Sequence, residues 1–476
     1  MSGTCSDNLQ NFAMNHISDD ILLLIFSFFN KKELCEAAKV NKRWHRVSCD
    51  PSLWKDLNLQ RIVSGHSSDF LNPMVTSRLS SLRNVHFGPM HIKFRTLKSV
   101  LVRCKKLETI IFGRGSRVQK HAKRKAMIIP QNIQTLDMRL AKGNFEFLLA
   151  SGPRFQSLVN FGIGRDSYTH NFFPHLFCQA TNLKILDLTN CDSLVDDQLY
   201  DVFTRCTLLE SLCLIGCRKL TGTFLPNLAR TCRRLQTLLI RYMPITDSVL
   251  CSCEWDLLPL EEIDISACPE ITWMGLSSFI PKLNCIRYLN MSYCGIGHAV
   301  TDAILTQLLV RGIASKIEML DLRWSFLVSA HVLREFLSSC KNLQYLGIYQ
   351  SNGVNSSVVS DVAKNLPRLK TIEFGGLKQE ILTSSHMLQS LRENCKQLSV
   401  LSLINFCTIS APCDERQFEE LIKTAKNLER INLCDCSEEL VAAARTGALN
   451  TQVNVTERWE CALPPPVHTL DFVTRC

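Results

Sequence analysis

A leucine-spaced unit returns every 25 or 26 residues from near residue 82 to residue 436. Clear copies are Leu183-x-x-Leu186-x-Leu188-x-x-Cys191 and Leu209-x-x-Leu212-x-Leu214-x-x-Cys217. Others are Leu260-x-x-Ile263-x-Ile265-x-x-Cys268 and Ile286-x-x-Leu289-x-Met291-x-x-Cys294. A fixed period in this range marks a solenoid of stacked strand-plus-helix units. Each unit buries its apolar edge only against its neighbours, which produces a long surface suited to binding other proteins. The expected fold is an α/β solenoid, a curved array of short parallel strands and helices.

Strand motifs start at Leu82, Leu107, Ile133, Leu158, Leu183, Leu209, Leu235, Leu260, Ile286, Ile317, Leu343, Leu369, Leu398 and Leu428, and a further candidate starts at Leu53. The spacing lengthens to 31, 29 and 30 residues after 286, 369 and 398. The extra residues, within His298 to Thr301, Leu377 to Ser385 and Thr408 to Asp414, are assigned to loops. Thr246-Asp247 and Thr301-Asp302 read as helix starts with capping residues. After Leu449 the pattern breaks, and Pro464-Pro465-Pro466 can continue neither a helix nor a central strand. Residues 449–476 are therefore expected to cap the array or fold back on it.

Of 23 cysteines, Cys191, Cys217, Cys268, Cys294 and Cys436 close the strand motif. Cys104, Cys206, Cys232, Cys340 and Cys395 stand three residues before the first leucine of a strand. Fixed repeat positions suit a small buried thiol in a reducing compartment, not a disulfide framework. Cys251-x-Cys253 and Cys434-x-Cys436 lack a second ligand pair at zinc-finger spacing, so no metal or other cofactor is expected. The apolar run Ile21 to Phe29 is too short to cross a bilayer, and the N-terminus does not read as a secretory signal. A cytoplasmic or nuclear protein follows as the expectation.

The formal charge is +10, and Arg114, Arg117, Lys120, Lys123, Arg124 and Lys125 gather in one stretch. That stretch reads first as a solvated face; nucleic-acid binding is a third-rank reading with steep salt dependence as its signature. There is no Gly-rich phosphate loop and no nucleophile, base and acid set in recognisable local context, so a non-catalytic protein is expected.

The N-terminal block differs in kind. Ser18 can cap a helix beginning Asp19-Asp20, after which Ile21 to Phe29 is apolar on every side and requires burial all round. Ile17-Ser18-Asp19-Asp20-Ile21-Leu22, Ile25-Phe26-Ser27-Phe28, Glu33-Leu34, Val40-Asn41-Lys42-Arg43-Trp44 and Asp50-Pro51-Ser52-Leu53-Trp54 together resemble an F-box. The match departs from the family where Ile17-Ser18 stands for Leu-Pro and Asn41 for Cys. The repeats look like the cysteine-containing leucine-rich class, so the chain resembles the F-box/leucine-rich-repeat family. The resulting plan is an N-terminal tail at 1–14, an F-box at 15–57, a solenoid at 58–448 and a cap or tail at 449–476.

That resemblance implies a substrate receptor of a Skp–cullin–F-box ubiquitin ligase. Ile17, Ile21, Leu22, Ile25, Phe26, Leu34, Trp44, Leu53 and Trp54 would dock on the Skp adaptor, and through it on the cullin and RING subunits. The runner-up is a repeat scaffold that recruits no ligase. By the period-2 rule, the third, fifth and seventh strand positions point to the concave face. They include Arg241, Tyr288, Arg323, Tyr345 and Tyr349, with Tyr242 and Trp324 just beyond two strand ends. Aromatic and arginine side chains dominate binding energy at interfaces, so this is the candidate substrate patch. Its mixed character would suit an acidic or phosphorylated protein segment. Asp137, Asp187, Asp264 and Asp321 share the fifth position and read as a repeat preference.

Overall fold

The computed structural model describes residues 17–60, 67–119, 129–143, 145, 155–164, 177, 179–375, 385–405, 415–449, 451–457, 462–467 and 469. Two compact units divide the chain, Met1–Asn182 and Leu183–Cys476.

The first unit begins with three short helices, α1 (Asp19–Ser27), α2 (Lys31–Ala37) and α3 (Lys42–Ser48), followed by a 3-10 turn at Pro51–Trp54. Each start is fixed by a side chain. Ser18 accepts the Ile21 N–H at 3.3 Å, and Asn41 accepts that of Trp44 at 2.8 Å. Asn30 and Glu33 form a reciprocal capping box. The two departures from the F-box pattern, Ser18 and Asn41, thus serve as helix caps. Strands β1 (Asp56–Asn58), β2 (Asn84–Phe87), β3 (Thr109–Phe112), β4 (Thr135–Met138) and β5 (Asn160–Ile163) then stack in parallel. A strand does follow the candidate at Leu53, but in a register one residue later, since Leu57 pairs with Val85, the fourth residue of the Leu82 motif. A second parallel ribbon (His91–Ile92, Arg117–Val118, Lys142–Gly143) was not expected.

The second unit continues with β6 (Ile185–Asp187), β7 (Ser211–Cys213), β8 (Thr237–Leu239), β9 (Glu262–Asp264), β10 (Tyr288–Asn290) and β11 (Met319–Asp321). After these come β12 (Tyr345–Gly347), β13 (Thr371–Gly375), β14 (Val400–Ile404), β15 (Arg430–Cys434) and β16 (Asn454–Thr456). The fourth motif residue aligns from strand to strand, as Leu186↔Leu212↔Leu238↔Ile263↔Leu289. The long spacing after 286 leaves that register intact, since Leu289 still faces Leu320. Of the other two expected loop insertions, 376–384 and 406–414 lie outside the described residues, while Ser385 opens a helix (Ser385–Asn394).

Two details correct the sequence reading. Thr246 and Thr301 precede helices but make no side-chain cap. The next residue acts between repeats instead: Asp247 accepts the Thr272 N–H at 2.8 Å and Asp302 that of Ser329 at 2.7 Å. The tail also does not abandon the pattern at 449, because β16 pairs with β15 in register Ile431↔Val455.

The cysteines of both repeat positions stand as thiols outside any disulfide, and most are buried. Those closing the motif donate to the strand end of the preceding repeat. Cys217, Cys268 and Cys294 reach the carbonyls of Leu188, Ile240 and Ile265 at 3.1, 3.1 and 2.9 Å. Burial pushes the Cys217 and Cys268 thiols up to about 12, which keeps them protonated as donors.

Candidate functional site

In the first unit the F-box residues fall into two sets. Leu22, Phe26, Leu34, Leu53 and Trp54 are buried within the chain itself, where they pack its own helices. Trp44 is half-buried edge-on to Phe26, with centroids 5.2 Å apart, and Ile17 and Ile25 are also half-buried. Trp54 additionally takes Arg78 over its ring and donates to the Ser48 carbonyl at 2.8 Å. The chain by itself does not bury α1 all round: Ile21 is 52% and Phe28 82% exposed, and Leu24 and Val40 also face outward. Leu24 lies outside the segments that carry the family pattern, whereas Phe28 and Val40 lie within them but are not among the residues carried over for docking. Ile21, Leu24 and Phe28 follow the i, i+3, i+7 spacing of one helical stripe.

In the second unit, the polar positions of the strands are organised before any ligand arrives. The fifth-position acids brace the turn that follows them: Asp187, Asp264 and Asp321 accept N–H groups of Thr189, Ser266 and Arg323 at 3.0, 2.9 and 3.1 Å. Asp137 does the same for Arg139 in the first unit, at 3.0 Å. These are local side-chain-to-backbone bonds two residues on, so the repeat preference has a turn-forming cause.

The expectation that the third, fifth and seventh positions are open is corrected for three residues. Tyr345 is only 1% exposed, and Tyr288 and Arg323 are also buried. Residues 462–467 return to strand residues of the same sheet. The Ala462 N–H donates to Glu373 Oε1 and the Val467 N–H to Glu262 Oε1, both at 2.6 Å. The tail therefore runs back across the sheet face from β13 to β9. At ~3.1 Å per residue, five residues of polyproline chain cover ~16 Å, close to four strand spacings of ~4.8 Å. Pro464, Pro465 and Pro466 suit this path because they bring no N–H groups that would need partners.

Arg323 is enclosed by carboxylates. Its Nε lies 2.8 Å from Asp321 Oδ1 and its Nη1 3.0 Å from Glu373 Oε2. Burial pushes the Glu373 carboxyl above its ordinary range, opposed by Arg323 and by the Ala462 N–H. Asp264 is raised for the same reason, opposed first by Arg241.

Beyond the strand ends, an open cavity of about 510 Å³ is lined by Arg241, Tyr242, Tyr293, Arg323, Trp324, Tyr349, Ile404 and Asp435, among others. Five of the seven sequence-named patch residues thus meet at one site, whereas Tyr288 and Tyr345 lie below in the sheet. Tyr293 and Asp435 were missed, although they occupy the same eighth motif position as Tyr242 and Trp324. Tyr293 and Tyr349 stand against Trp324 at interplanar angles of 74° and 90°, with centroids 5.8 and 5.5 Å away.

Comparison with known proteins agrees with this architecture. A family model described as F-box-like matches residues 19–60. The chain is 25% identical over 213 residues to the F-box/LRR-repeat protein At3g03360 of Arabidopsis thaliana, covering 44% of this chain and 39% of that protein. It is 22% identical over 253 residues to F-box/LRR-repeat protein 5 of Bos taurus, covering 52% of this chain and 33% of that protein. The matched region spans well under half the length of these curated relatives. A chain of the yeast Rad7 and Elc1 complex aligns with a TM-score of 0.45 at 15% identity, over 79% of this chain and 93% of that chain. A helical F-box-like unit followed by a leucine-rich-repeat ladder defines the class of protein. The family model and the two curated relatives make the chain similar to F-box/leucine-rich-repeat proteins. No helix among the described residues is long and apolar enough to cross a membrane.

Proposed function

We propose that this chain is the substrate-receptor subunit of a Skp–cullin–F-box ubiquitin ligase, acting in the cytoplasm, the nucleus or both. The observation that carries the reading is the exposed apolar stripe Ile21, Leu24 and Phe28 on α1, inside the segment matched as F-box-like. A short helix with such a stripe calls for an apolar partner, and the Skp adaptor is the one the family implies. The buried residues Leu22, Phe26, Leu34, Leu53 and Trp54 then support docking indirectly, by holding α1 to its neighbours. The repeat ladder would hold a protein substrate near the conjugating enzyme, so rate enhancement arises from proximity and no side chain of this subunit performs chemistry.

The test is co-purification with the Skp adaptor. The Ile21→Asp/Phe28→Asp double variant should lose the adaptor, since both sites are exposed and their change spares the interior. Wild type that never co-purifies would leave the repeat scaffold without a ligase as the surviving reading.

A further inference from the structure

From the repeat starting at Leu183 onward, the described residues at the eighth motif position are left-handed, Gln350 at φ 55° among them. Asn190, Tyr242, Ala267, Tyr293, Trp324, Asn405 and Asp435 all have φ between 51° and 62°, and Gly216 has 76°. The conformation keeps the N–H of that residue in the ladder: Tyr242, Tyr293 and Trp324 donate to Ser266, Arg323 and Tyr349 carbonyls at 3.1, 3.0 and 2.8 Å. Glycine and asparagine meet this requirement at least cost, and a bulky aromatic residue is an outlier. Three of these repeats nonetheless place a tyrosine or tryptophan there, and all three line one cavity. Backbone strain concentrated in this way is a mark of function rather than of packing.

The charge around the cavity narrows what could enter it. The charged side chains lining it are Arg241, Arg323 and Asp435, and both arginines face acids buried in the strands, Arg241 facing Asp264 and Arg323 facing Asp321 and Glu373. Arg323 is enclosed by Asp321 and Glu373, and the Arg241 guanidinium lies over the Tyr242 ring, 4.7 Å from its centroid. Asp435 is exposed at the cavity, its carboxylate taking the Cys434 thiol at 3.5 Å. Aromatic walls set at right angles and one open carboxylate, with both arginines already engaged by other side chains, favour a cation over an anion.

We propose that this pocket takes a cationic side chain, that of lysine, its methylated forms or arginine, presented by an extended segment of a protein partner. This inference rests on the reading of the repeats as partner-binding, is independent of ligase recruitment, and replaces the acidic or phosphorylated segment that the two arginines suggested from sequence.

The test uses the full chain labelled with 5-fluorotryptophan, with the Trp324 fluorine signal assigned by its loss in Trp324→Phe. Five peptides, Ac-Gly-Gly-X-Gly-Gly-amide with X lysine, trimethyllysine, arginine, phenylalanine or phosphoserine, are titrated in turn. The cationic peptides should shift the Trp324 signal at concentrations roughly fivefold to tenfold below the phenylalanine and phosphoserine peptides. Tyr293→Gly and Asp435→Asn should each weaken the response, with the other tryptophan signals reporting an unchanged fold. Earlier saturation by phenylalanine or phosphoserine would overturn the proposal, as would silence from all five peptides on a folded chain. Adaptor co-purification is unaffected by either result, so the two readings fail separately.

Discussion

Tyr242 shows at a single residue what the repeat gives up for its pocket. It sits at φ 62° and is 46% exposed, and its ring contact is with the guanidinium of Arg241. A left-handed conformation costs a non-glycine residue about 1–2 kcal/mol, whereas an exposed cation–π contact contributes about 0.5–1 kcal/mol. Tyr242→Gly should therefore raise stability by about 0.5–1 kcal/mol, read as a higher urea midpoint with unchanged slope. A clear loss would mean that the ring contributes more packing than its exposure implies. Trp324, 37% exposed, is a less clean probe because Tyr293, Phe326 and Tyr349 all touch its ring.

At the level of elements, the tail laid across β9 to β13 and the buried acids beneath it form one electrostatic assembly. Burial raises Glu373 in the folded state above its ordinary value of 4.5. The folded chain then holds that proton more tightly than the unfolded chain does. The resulting stability is fully present below about pH 4.5 and is lost as pH rises through the raised folded value. Glu373→Gln keeps the neutral form at every pH. The stability of wild type minus that of the variant should consequently fall as pH rises above about 4.5, measured by urea unfolding at each pH. A difference that grows with pH would show that the bond to Arg323 outweighs burial.

At the level of the whole molecule, the proposed docking stripe and the proposed pocket lie in separate compact units, Met1–Asn182 and Leu183–Cys476. Ile21→Asp/Phe28→Asp should abolish adaptor co-purification yet leave the Trp324 response to the lysine peptide within twofold of wild type, a limit set by ordinary scatter between independent sites, ~0.5 kcal/mol. Joint loss of both readouts would show that the first unit supports the second energetically. In a stacked array each repeat draws its stability from itself and its neighbours, which favours such independence.

The ladder, its register and the turn-bracing acids were legible in the chain because each depends on neighbours about one repeat away. Leu289 finds Leu320 whatever lies in the loop between them, since the strand motif fixes the pairing. The F-box helices were legible for a similar reason: Ser18, Asn30 and Asn41 act on N–H groups two or three residues along. Exposure was not legible. Period-2 alternation says which way Tyr288 and Tyr345 point, but neither how deeply they are buried nor that a segment beyond the last strand returns to the sheet. Its contacts join residues 89 and 205 positions apart, from Ala462 to Glu373 and from Val467 to Glu262. The pocket likewise unites Arg241 with Asp435 only because the array brings several strand ends together. Local periodicity specifies a repeat and its nearest contacts, whereas burial and charge balance are sums over everything the folded chain places nearby.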